Sequence, residues 1–119
     1  MADDTTTIAQ LKRLVGDFND ARDWGRYHSP RNVAMALSVE ASELLELFLW
    51  CADEGPQPPV ASRSPRVADE VADVAICLLN FCNRMDIDLS AAVAAKLDVA
   101  GERYPVALSR GRLEKSDEL

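Results

Sequence analysis

SPRNVAMALSVEASELLELFLW, residues 29–50, and SPRVADEVADVAICLLNFCNRM, residues 64–85, are the two stretches that decide the fold. Each opens on Ser-Pro, a hydroxyl able to accept from the first free backbone N–H groups, followed by a proline whose fixed φ suits the first helical position. Each then runs about twenty residues without a breaker, with apolar side chains recurring at three and four residues. Both stretches read as helices, the second of the chain through Trp50 and the third to about Met85.

Each helix also carries acids where its apolar stripe should be. With Glu40 as origin and about 100° per residue, Leu37, Leu44 and Leu47 fall within about 60°, and so does Glu43. With Glu70 as origin the same arc of about 60° holds Val67, Val74, Cys77, Phe81 and Asp73. One Glu-x-x-Glu pair on a helix usually means a solvated face. Two such acid pairs, both inside apolar arcs, mean something more. Four carboxylates in a bundle interior lose hydration and repel one another unless a cation joins them. Carboxylate oxygen suits hard divalent ions, so Glu40, Glu43, Glu70 and Asp73 are candidate ligands for Mg²⁺, with Mn²⁺ as a substitute. A di-iron site would want Glu-x-x-His on two helices; the corresponding positions here are Glu43 and Asp73, and the single histidine, His28, lies elsewhere. Glu46 and Asp69 fall outside the arcs and read as solvated.

Outward from these helices, Ile8, Leu11, Leu14, Val15 and Phe18 mark a first helix from Thr5 to about Trp24, and Leu89 to about Tyr104 a fourth, capped by Asp88 or Ser90. Gly55, Pro56, Pro58 and Pro59 make Cys51–Ser64 a loop, the expected mobile element. The expected architecture is all-α, a four-helix bundle-type protomer over residues 1–108 with a polar, flexible tail at 109–119. The apolar arcs of the second and third helices are wide enough to ask for cover on more than one side, which points to a homodimer or homotetramer.

The 119 residues hold 20 Asp and Glu against 13 Lys and Arg, a net charge of −7. That balance gives no sequence-wide footprint for nucleic acid and repels anionic lipid. An anionic ligand would need a cation to accompany it. Much of the surplus is ordinary solubility. Cys51, Cys77 and Cys82 are odd in number and lack a Cys-x-x-Cys pair, which suits reduced thiols in the cytoplasm. The acidic start Met1-Ala2-Asp3-Asp4 is unlike a secretory signal, and no apolar run is long enough to span a membrane.

Over about residues 8–108 the chain resembles the MazG-like all-α nucleoside triphosphate pyrophosphohydrolases, most closely their small dCTP pyrophosphatase branch. The carriers are FNDARDWGRYH at Phe18–His28, Pro30-Arg31-Asn32, EASELLELFLW at Glu40–Trp50, Glu70-Val71-Ala72-Asp73, Ile87-Asp88-Leu89, Lys96-Leu97-Asp98 and Arg103-Tyr104-Pro105. The resemblance implies that Glu40, Glu43, Glu70 and Asp73 hold Mg²⁺ and that a nucleoside triphosphate is cut to monophosphate and pyrophosphate, with Glu43 as general base. It also implies a base pocket of Trp24, His28 and Trp50, and phosphate contacts from Lys96 and Arg103. Two positions depart from the branch: Cys77 stands where a tyrosine is expected and Ala100 where an asparagine is. Both bear on the base, and neither removes a metal ligand. The competing readings are a non-catalytic helical bundle that binds a nucleotide or protein partner, and the related chemistry on phosphoribosyl-ATP.

Overall fold

The computed structural model describes residues 1–50 and 65–119. Among the described residues it is all-helical, with no strand: α1 Ile8–Asp20, a 3-10 turn Trp24–Tyr27, α2 Pro30–Glu46, α3 Pro65–Met85, α4 Leu89–Arg103, α5 Val106–Ser109 and a 3-10 turn Ser116–Glu118. The loop expected over Cys51–Ser64 lies outside the described residues. The chain divides into two compact units, Met1–Asp86 and Ile87–Leu119.

In the first unit α1 and α2 both pack on α3. Apolar burial concentrates at Val33 of α2 and at Leu79 and Cys82 of α3, which are 3%, 6% and 2% exposed. A polar tie reinforces the α1–α3 contact, the Asn83 carboxamide donating to the Lys12 carbonyl at 2.9 Å.

The starts of the helices follow their capping residues. Thr7 and Gln10 form a reciprocal capping box, the Thr7 hydroxyl accepting from the Gln10 N–H at 3.1 Å and the Gln10 side chain accepting from the Thr7 N–H at 2.7 Å. Ser29 accepts from the Asn32 N–H at 3.2 Å ahead of Pro30. Asp88 accepts from the Ala91 N–H at 2.9 Å to open α4.

The ends differ from the apolar spacing. The first helix, expected to run to Trp24, stops at Asp20: the N–H groups of Arg22 and Asp23 turn back to carbonyls three residues away, and Asp23 takes a left-handed φ of 52°. A left-handed residue cannot continue a right-handed helix. The second helix, expected through Trp50, stops at Glu46 for the same reason: Leu47, Phe48 and Leu49 tighten onto the carbonyls of Leu44, Leu45 and Glu46, and Trp50 has φ 65°. The 3-10 turn is moored to α2 by the Asn32 carboxamide, which donates to the Tyr27 carbonyl at 3.0 Å.

In the second unit α4 ends as Pro105 approaches and α5 follows. The stretch 109–119 carries the last 3-10 turn and a two-bond pair of Arg112 with Glu114, at 3.3 and 3.2 Å. That pair holds the Glu114 carboxyl below the ordinary range.

Among the described residues few apolar side chains are fully buried, so each of them matters. Leu79→Ala should lower the unfolding free energy by about 2–4 kcal/mol, read from the midpoint and slope of urea denaturation; a loss below about 1 kcal/mol would mean that Leu79 does not anchor α1 to α3.

Candidate active site

Glu40 and Glu43 come from α2, Glu70 and Asp73 from α3, and the packing of these two helices brings the acids together. Glu40, Glu43 and Glu70 each place an oxygen within 4.8 Å of the other two, a grouping that a single ion can span. Asp73 is exposed and stands beside this trio, its charge acting on both Glu40 and Glu70. Glu43 is exposed, while Glu40 and Glu70 are half-buried.

Crowding has a measurable electrostatic result. The Glu40 carboxyl is pushed up first by the hydrogen bond it shares with Glu43, then by burial and by the charges of Glu43, Asp73 and Glu70. The Glu70 carboxyl is pushed up first by burial, then by Glu43 and Asp73 and by its own hydrogen bond with Glu43, with Arg66 opposing. One oxygen of each, Oε2 of Glu40 and Oε2 of Glu70, is buried without a hydrogen-bond partner among the described residues. Buried carboxylate oxygens without donors are costly, and a hard cation is the partner that answers both of them and the repulsion. The donor set therefore fits a divalent metal.

Cys77 follows Asp73 by one turn of α3 and is half-buried. Burial, then the charges of Glu40 and Asp73, push its thiol up, so it adds no further negative charge beside the acids.

A second group forms around the 3-10 turn. The Arg22 guanidinium lies 3.7 Å over the Phe18 ring and donates to the Phe18 carbonyl at 2.9 Å. Phe18 meets Trp24 edge to face at 5.7 Å, and Trp24 meets His28 edge to face at 6.5 Å. His28 in turn contacts Asn80 of α3 at 3.1 Å. Trp24 and His28 are thus neighbours, as a shared base pocket requires. Trp50, on the turn beyond α2, is 94% exposed and packs against neither of them. Lys96 and Arg103 lie on α4, in the second unit. Asn80 was not singled out from the sequence, although a polar residue seven positions beyond Asp73 in an apolar helix was a readable signal.

The profile of the MazG-like family matches residues 35–119. The dCTP pyrophosphatase 1 of Bos taurus is 42% identical over 115 residues, 95% of this chain and 68% of its own, and that of Homo sapiens is 40% identical over the same shares. Among solved structures, a pyrophosphatase from Archaeoglobus fulgidus DSM 4304 is similar with a TM-score of 0.71 at 30% identity, covering 88% of this chain and 98% of that one.

The raised carboxyls set a pH dependence. Glu40 and Glu70 bind protons more tightly folded than unfolded, so their contribution is fully present below the ordinary glutamate range and is lost as pH rises through the raised values. Metal-free protein should therefore melt at lower temperature at about pH 7.5 than at about pH 5, and Mg²⁺ should raise the melting temperature at the higher pH. Glu70→Gln should shrink both effects in differential scanning fluorimetry; an unchanged response to pH and metal would contradict this account of the cluster.

Proposed function

The chain belongs to the MazG-like family, and from that premise we propose that its acidic centre uses Mg²⁺ to convert dCTP, or a modified dCTP, to the monophosphate and pyrophosphate. Its curated relatives and its structural neighbour are pyrophosphatases, and nucleoside triphosphate pyrophosphohydrolysis is its activity. The observation that carries the metal reading is the pair of buried, unpartnered oxygens of Glu40 and Glu70 within the Glu40–Glu43–Glu70 cluster.

Glu40, Glu43, Glu70 and Asp73 hold the ion, with Mn²⁺ able to replace it. An Mg²⁺ bound there would supply the positive charge that a triphosphate needs beside an acidic protein and would polarise the phosphoryl group. Glu40 and Glu70, each with a buried oxygen that has no hydrogen-bond partner among the described residues, would hold it. Glu43, the exposed member of the cluster, keeps access to solvent and acts as general base. Water adds at phosphorus, its proton goes to Glu43, and the anhydride bond between the α- and β-phosphates breaks.

Trp24 offers the base an aromatic surface, and the adjacent His28 a hydrogen-bonding edge. Cytosine is favoured because the curated relatives act on dCTP, and the small Cys77 side chain leaves room for a substituent on the base. Free thiols at Cys77 and Cys82 support a cytoplasmic setting. Exposed Met35, Val39 and Leu45 on α2, and Val71 and Ile76 on α3, support assembly into a homodimer or homotetramer.

Chromatography of a deoxynucleotide panel should show monophosphate plus pyrophosphate from dCTP in the presence of Mg²⁺, and single-phosphate release would overturn the reaction. Glu43→Gln should lower kcat by roughly 100-fold or more with helicity by circular dichroism unchanged. Light scattering after size-exclusion chromatography should give two or four times the protomer mass, and a monomer at working concentration would remove the assembly.

A further inference from the structure

His28 is the only histidine in the chain. Its Nδ1 lies 3.1 Å from Nδ2 of Asn80, and Asn80 is only 8% exposed, so water competes poorly for that contact. A carboxamide nitrogen has hydrogens to give and nothing to accept with. Nδ1 must then be the bare nitrogen of a neutral ring, with the proton on Nε2. Among the described residues Nε2 has no hydrogen-bond partner.

Asn80 stands seven residues beyond Asp73, two turns along the same face of α3 and about 10 Å further along its axis. Cys77 lies between them on that face. A nucleotide whose phosphates meet the carboxylates therefore extends its base toward His28.

From these relations the structure assigns Asn80 as a positioning residue for base recognition. It fixes His28 in the Nε2–H form, so the ring is a donor, and the base it selects presents an acceptor, a ring carbonyl or an unprotonated ring nitrogen. Cytosine offers both. The assignment rests on reading the site as a nucleotide site.

The first measurement needs no nucleotide. In the ¹⁵N-labelled protein without metal, at about pH 8, a two-bond ¹H–¹⁵N correlation shows a single histidine. A proton on Nε2 is expected, and a proton on Nδ1 overturns the assignment. Asn80→Asp then supplies the converse: a carboxylate only accepts, so the proton should move to Nδ1 and Nε2 should become an acceptor. The KM for dCTP should rise roughly tenfold, the loss of about one hydrogen bond, with kcat within about twofold. An inverted tautomer with unchanged KM would falsify base reading by His28. Absence of nucleotide turnover by the unsubstituted protein would instead remove the functional reading and leave the tautomer result standing.

Discussion

Like charges held close together govern this molecule. Glu40, Glu43 and Glu70 place oxygens within 4.8 Å of one another, with the charge of Asp73 added from the next turn of α3. Such a group is tolerated only if protons are shared, if donors surround it, or if a cation enters. Glu40 and Glu70 each keep a buried oxygen with no donor among the described residues, which leaves protons or metal. The α2–α3 contact thus serves two ends. It places Val33 in the buried core, and it concentrates charge that a proton or a cation must offset.

The other end of the same helix face is organised by hydrogen bonds and ring edges rather than by charge. The left-handed Asp23 ends the α1 segment and starts the 3-10 turn that carries Trp24 to Phe18 and His28 to Asn80. Asn32 holds that turn to the start of α2, the helix that also carries Glu40 and Glu43. A break in regular helix therefore sets the aromatic group in a fixed relation to the acids, by a chain of short contacts within one unit.

Cys77 shows how the two ends meet. It lies one turn from Asp73 and one turn from Asn80, and its thiol is held neutral by burial and by the neighbouring carboxylates. Its neutral side chain adds no charge between the acids and the imidazole.

The acid quartet and the helical class were legible in the sequence because helical periodicity is local: residues three and four apart share a face whatever else the chain does. The caps Ser29 and Asp88 were legible for the same reason, and both accept the bonds that their positions call for. The helix ends were not. Apolar spacing runs on through Phe48 and to Trp24, whereas termination depends on which backbone φ the packed chain adopts at Asp23 and Trp50. Nor could spacing tell that Asn80 would meet His28, 52 residues away, because a contact across helices is set by how α3 lies against the turn before α2. Sequence alone determined which residues carry charge on which helix faces. Only the tertiary structure decided that three of those charges share one small space with two oxygens unanswered, since convergence belongs to packing and not to periodicity.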